Sequence, residues 1–532
     1  MASAGHRLRL LARPAALALY FVALAALLTW PMLPRAGHGA YDHADSLFNT
    51  WLMAWNHHAL LSGSDPMDLP IFLGQPDADG RSDLLLTQAI LAIPLRLLGI
   101  SPLGAHNLIL VLSIALCGLS AYLFSRSVGL SVAAAWFAGT AFAATPFFQS
   151  HLWHVQLASC GLSVLALAQS VRMALGRGPG PVPSALLLSL LILLQGCASL
   201  YYLVFLDIAL LLLAVFVALG RMGGPRRLPA LAALLCGLLL GNLLMLPLLG
   251  NQLSNAVTWC PDTMTSTDLA AFLAPWESSI LEGWARPSFL AGEAALWPGL
   301  IVVGCLVAWF ARLRKKARSS GSAPAMEGFL ICLGLLSALV IVGPTVSLGG
   351  RGIAPAPWRL LAWIPGFASI RLPGRMGFLF LLPACVIAGA TLQRARRFVP
   401  WLLGLLAIAE VMHPPLDLIA VRPPPYHDWI SARGVESVVI LPMFPSFDRP
   451  EPECLRLYGS MASFTPMVNG YATSLPRDYP ETARILNEWP SAPAERWLDS
   501  AGVEAVVTEG FVPPDADRVW MDGRVPAAVV LR

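Results

Sequence analysis

Apolar runs recur along the chain near 15–33, 103–125, 130–147, 152–172, 183–198, 200–219, 228–249, 294–311, 327–348, 374–392 and 398–413. Segments of this length and apolarity predict about eleven transmembrane helices. A shorter run, DLLLTQAILAIPLRLLG (83–99), carries Pro94 and Arg96 and is read as an interfacial helix. Between the first span and this run, Phe48, Trp51, Leu52, Trp55 and Ala59 recur at helical spacing, while Asp45, Asn49 and Asn56 fall on another face. This predicts an amphipathic helix lying on the membrane, with Asp42 and Asp45 at its start. After residue 413 the pattern changes: β-like runs at 435–444, 502–510 and 526–532 surround a helical stretch at 479–489. The fold class expected is an all-α polytopic membrane bundle followed by a small α/β domain of about one hundred residues.

Composition agrees: of 532 residues, 56% are hydrophobic and 12% charged, with a net charge of +4. The basic residues cluster in short loops, RLRLLAR, RMGGPRR, RLRKKAR and RARR among them, which is the pattern of membrane topology and not of nucleic-acid binding. These loops all face the cytoplasm only if 83–99 does not cross. The N-terminus is then inside, and residues 34–102, the loop 250–293 and the tail are extracytoplasmic. The domains expected are 1–413, with both outer loops, and 414–532. The first run reads as an uncleaved anchor in preference to a signal peptide. Of nine cysteines, only Cys260 and Cys454 lie outside the predicted spans, and both fall on the outer, oxidising side. A disulfide and two free thiols fit equally.

Asp42 and Asp45 are the first candidates for chemistry, since an acid on the outer surface can deprotonate an acceptor hydroxyl or hold a metal near a lipid phosphate. Helix capping, with Asp42 at the cap and Asp45 three residues on, explains the same spacing. In FFQSHLWHVQL (147–157), His151, His154 and Gln156 are polar groups at the outer interface; no nearby acid or cysteine completes a metal site, and an interfacial belt of His and Trp fits as well. Tyr201 and Tyr202 suit sugar stacking or prenyl packing, and also ordinary interfacial tyrosine. Arg371 and Arg375 flank a Pro-Gly at the outer end of a span, placed to clamp a phosphate or to bind lipid headgroups. The loop 250–293 adds Asp262, Asp268, Glu277, Glu282 and Glu293, the last beside a membrane entry point. No Walker loop, Cys/His ligand set or Gly-x-Ser-x-Gly occurs, so a cytosolic nucleotide donor is not expected. Asp207 and Glu410 lie toward the outer ends of their spans, which disfavours a proton-relay transporter.

The order of one span, a long first outer loop with an acid near its start, a bundle and an outer domain resembles the GT-C superfamily of integral-membrane glycosyltransferases. DSLFNTWLMAWNHHAL, SHLWHVQL, ASLYYLVF, PGFASIRLPGRMGF and PMVNGYATSLPRDYPETARILNEWP are similar to a branch of large bacterial GT-C-like proteins. The resemblance implies a polyprenyl-phosphate sugar donor bound between bundle and first loop, and a first-loop carboxylate as general base for inverting transfer to a glycan, lipid or protein acceptor outside the bacterial inner membrane. Asp45 matches the acid before the Trp-rich helix; Arg371 and Arg375 match an R-x-P-x-R element. GT-C proteins often carry adjacent acids, whereas His43 and Ala44 separate Asp42 from Asp45 here, which leaves a divalent cation (Mg or Mn) an open question. Two other readings stand beside this one: a flippase of lipid-linked saccharides, and a non-catalytic envelope assembly protein.

Overall fold

Where the apolar runs contain proline, glycine or serine, the helices they form are shorter than the runs. In a computed structural model, residues 4–75, 82–254, 265–275, 295–317, 325–361, 363, 370–446, 448–521 and 526–532 are described. Cys260, Asp262, Glu277, Glu282 and Glu293 lie outside the described residues. Among the described residues, five helices are long and apolar enough to cross a membrane: Pro102–Val128, Pro181–Ala198, Leu200–Ala218, Arg227–Leu249 and Pro373–Leu392. The count of about eleven spans is therefore not met by length, the other expected spans being shorter apolar helices such as Gly161–Ala174 and Val399–Val411. The protein is nonetheless a mostly helical integral-membrane protein with a small sheet.

Three interruptions stand out. The run 130–147 divides into Val132–Ala143 and Pro146–Gln149, the proline starting a new turn. The run 152–172 is helical only from Gly161; before it lies a chain of tight turns in which Ser150 Oγ and Ser159 Oγ donate to the main-chain oxygens of Phe147 (2.9 Å) and Val155 (2.7 Å). The run 327–348 stops at Ile341, and past Pro344 it becomes a hairpin, Thr345–Leu348 paired with Arg351–Pro355. Gly349 and Gly350 form its two-residue turn with φ of 63° and 77°, the left-handed backbone that a primed turn requires.

The chain divides into two compact units. The first comprises Met1–Pro34, Leu108–Pro247 and Ala256–Leu416. Its centre is the helix Gly377–Leu392, buried along nearly its whole length among Val132–Ala143, Leu300–Ala317 and Ala325–Ile341. Two acids in this unit, Glu410 and Asp268, serve a helix end and a turn. Glu410 accepts the amides of Leu300 (2.5 Å) and Ile301 (3.4 Å), capping Leu300–Ala317. Asp268 accepts from Ala270 N (2.8 Å), Gly349 N (3.2 Å) and Gly350 N (2.8 Å), which pins the hairpin turn.

The second unit comprises Arg35–Asn107, Leu248–Asn255 and Asp417–Arg532. The contacts thus group the first loop with the tail, whereas the sequence had placed it with the bundle. The expected strands appear as Val438–Leu441, Ala505–Glu509 and Ala527–Leu531, joined by Arg518–Trp520 at one edge. The first two are parallel and the others antiparallel. A parallel pair needs a crossover, and the helices Pro450–Ser460, Tyr479–Leu486 and Ala492–Ala501 supply it. Two connections tie the first loop into this fold. Gly39–Ala40 pairs with Ile419–Ala420, and Phe72 N and Leu73 N donate to Asn469 O (3.2 Å) and Met467 O (2.9 Å). Inside, Arg456 is fully buried and paired with Glu453 (2.9 Å) and Glu509 (2.5 Å), and Tyr426 OH donates to Glu509 (2.7 Å).

Candidate functional site

Asp45 is the first residue of the helix Asp45–Ser62. This helix is not the membrane-lying amphipath that its spacing predicts. Its first nine positions after Asp45 are nearly all buried, and the polar Asn49 and Asn56 are as buried as Trp51. Trp51 Nε1 donates to Ser460 Oγ at 3.0 Å, Trp55 packs edge-on to Phe464, and Asn56 Nδ2 donates to Leu84 O at 2.7 Å. An apolar stripe looks the same in sequence whether it faces lipid or protein; here the opposite polar face is also occupied by protein, which makes the helix a core element of its unit. The expected interfacial helix forms as Leu86–Leu97; it buries Leu86, Thr87, Gln88, Ala89 and Ala92 and exposes Ile90, Leu91 and Leu97.

The two acids have different partners. Asp42 Oδ1 accepts the Ser46 amide at 2.8 Å, so Asp42 takes up the capping role that Ala44, the residue before the helix, cannot fill. Burial raises the Asp42 carboxyl above the usual carboxylate range, and amide bonds from Ser46, Ala44 and Asp45 partly offset this. Asp45 Oδ1, half-buried, accepts from Tyr471 OH at 3.2 Å. The Tyr471 ring meets Phe48 edge-on at 5.1 Å. Cys454, a fully buried free thiol, stands near both acids; burial, reinforced by their charge, pushes it well above its ordinary value.

The other candidates lie in the first unit. Arg375 is buried with its guanidinium 4.8 Å from the centre of the Tyr201 ring, a cation–π contact that fixes its direction. Arg371 is half-buried, and its carbonyl accepts from Thr265 N at 3.0 Å. Tyr202 is buried against Phe378 and donates to Leu157 O at 2.7 Å. His151 is buried with Nδ1 2.6 Å from the Phe147 carbonyl oxygen, while His154 is half-buried beside Trp153. Gln156 is buried, its side-chain oxygen without a hydrogen-bond partner among the described residues. Among the described residues no three ligating side chains converge to hold a metal ion.

Sequence reasoning missed Tyr471, Asn469 and the buried Glu453, Arg456 and Glu509. Asn469 and Tyr471 do fall within the PMVNGYATSLPRDYPETARILNEWP motif, but the motif assigns neither a role. Asn469 accepts from Ile440 N (2.7 Å) and donates to Ile440 O (2.9 Å), acting as an extra rung beside the sheet.

No family model and no curated protein sequence matches this chain. Solved structures do. The arabinofuranosyltransferase AftD from Mycobacteria superposes with a TM-score of 0.59 at 16% identity, covering 95% of this chain and 35% of AftD. The chain shares the fold of this arabinofuranosyltransferase. It spans about a third of the length of AftD, and at this identity the likeness establishes the fold alone. The oligosaccharyltransferase of Archaeoglobus fulgidus matches at a TM-score of 0.47 and 13% identity, covering 93% of this chain and 68% of that one. ArnT from Cupriavidus metallidurans gives 0.43 at 14% identity, covering 97% and 98%.

Proposed function

We propose that this protein is a membrane glycosyltransferase that moves a sugar from a polyprenyl-phosphate donor to an acceptor hydroxyl on the extracytoplasmic face of the inner membrane, with its N-terminus in the cytoplasm. The observation that carries the reading is Asp45: a half-buried carboxylate at the start of a core-packed helix, accepting from the phenol of Tyr471. In the reaction, Asp45 takes the acceptor proton as the acceptor oxygen bonds to the anomeric carbon. The bond from that carbon to the phosphate oxygen breaks, and polyprenyl phosphate leaves with the electron pair, giving inversion. Arg375, held over Tyr201, and Arg371 are assigned to the donor's phosphate; the stacked guanidinium is pre-oriented for a bidentate contact. His154, Gln156, Tyr201 and Glu293 are assigned to the donor sugar and its approach, and Tyr202 to shaping the fold behind them.

The test is turnover and binding measured side by side. Wild type incubated with a panel of polyprenyl-phosphate sugars releases sugar to acceptor or water, and Asp45→Asn binds the same lipids but does not turn them over. Equal behaviour of the two proteins, binding without turnover, contradicts the reading and favours a flippase.

A further inference from the structure

The C-terminal α/β region and the first loop belong to one compact unit, and their meeting point includes the acid on which the proposed function rests. We infer that Tyr471, from the C-terminal region, is a positioning residue for Asp45, holding the carboxylate through its hydroxyl so that the base has one orientation. The inference rests on the reading of Asp45 as general base.

The geometry supports it at three levels. Tyr471 OH lies 3.2 Å from Asp45 Oδ1, and its ring is set edge-on against Phe48, one turn along the same helix. The residues before it cannot drift: Asn469 is bonded both ways to Ile440, its Nδ2 reaches Glu453 Oε1 at 3.2 Å, and the main chain of 467–469 pairs with Pro70, Phe72, Leu73 and Val438. Gly470 lies against the Phe72 ring so closely that a Cβ there would come within 2.6 Å of it, while Phe72 itself holds a left-handed φ of 59°. A strap fixed at every residue is a poor design for a loop and a good one for a side chain that must point one way. Burial, with the Asp45 charge adding to it, raises the Tyr471 phenol well above its ordinary value, so the hydroxyl stays protonated and acts as donor.

Tyr471→Phe removes only the hydroxyl and keeps the ring on Phe48. The full-length protein in detergent is labelled with a carbodiimide across pH, and modification of Asp45 is read by peptide mass spectrometry. The expected result is a labelling midpoint about one pH unit higher in Tyr471→Phe, since one hydrogen bond to the ionised form is lost. The acid limb of kcat/KM moves by the same amount, with donor binding and the thermal midpoint unchanged. Tyr471→His, which keeps a ring donor, falls between. An unchanged labelling midpoint overturns the inference while leaving the transferase reading to stand on Asp45→Asn. Full turnover by Asp45→Asn overturns both, and a lower thermal midpoint in Tyr471→Phe with no shift in the limb marks Tyr471 as a packing residue only.

Discussion

Two acids of the membrane bundle and two of the first loop differ in the donors they meet. In the bundle, Asp268 and Glu410 are consumed by main-chain amides, one at a hairpin turn and one at a helix start. In the first loop Asp42 shares that fate, whereas the partner found for Asp45 is a phenol brought from more than four hundred residues away. The lesson is that an acid near a helix start is best judged by its donors. Amide partners speak for folding, and the Tyr471 hydroxyl gives Asp45 a side-chain donor from a distant part of the chain.

The comparison breaks most visibly if the two kinds of acid give the same phenotype. Asp45→Asn is expected to cut turnover by about 10²–10⁴-fold with little change in thermal midpoint. Asp268→Asn, which weakens the hairpin turn, is expected to leave turnover within a few-fold and to lower the midpoint; transfer assays and melting on the same preparations separate them. The next effect in size lies in the buried network. Arg456→Ala leaves Glu453 and Glu509 without their cation and should destabilise its unit by about 3–5 kcal/mol, measurable in urea unfolding followed by the exchange of amides in Ala505–Glu509. Removing one of the two carboxylate charges as well, with Glu453→Gln and Arg456→Met together, is expected to recover part of that loss.

His427 sharpens the contrast through pH. Burial, helped by the nearby Arg456, lowers its imidazole from 6.5 to about 3. The folded state therefore holds it neutral, so its contribution is complete above about pH 6.5 and is lost progressively as pH falls toward 3. Wild type is expected to lose stability over that window, and His427→Gln to lose less; melting midpoints at stepped pH decide it. The smallest effect is expected at Gly470→Ala, which presses a methyl on the buried Phe72 ring and should cost about 1–3 kcal/mol while disturbing the Asp45 labelling midpoint.

Much of this was legible in the chain. The apolar runs located the helices, and the β-like runs at 435–444, 502–510 and 526–532 located three of the four strands of the sheet. Helix length was not legible around Ser150, Ser159 and Pro344, because hydropathy does not register a lost main-chain hydrogen bond. SLGGRG did hold a hairpin signature that its apolar surroundings concealed. At the site, Asp45 stood out, but the partnership with Tyr471 did not, since a contact made across the sequence leaves no spacing to read. The same reason hid Arg456 and Glu509, which are separated by a whole crossover.

The most direct measurement is a cryo-EM structure of the full chain with a non-transferable polyprenyl-phosphate sugar and an acceptor alcohol. The account predicts the sugar's anomeric carbon with its phosphate on one side and, on the other, the acceptor hydroxyl within about 3 Å of the Asp45 carboxylate or one water away. A sugar bound with Asp45 still out of reach of the acceptor, or with the carboxylate on the phosphate side, would contradict it.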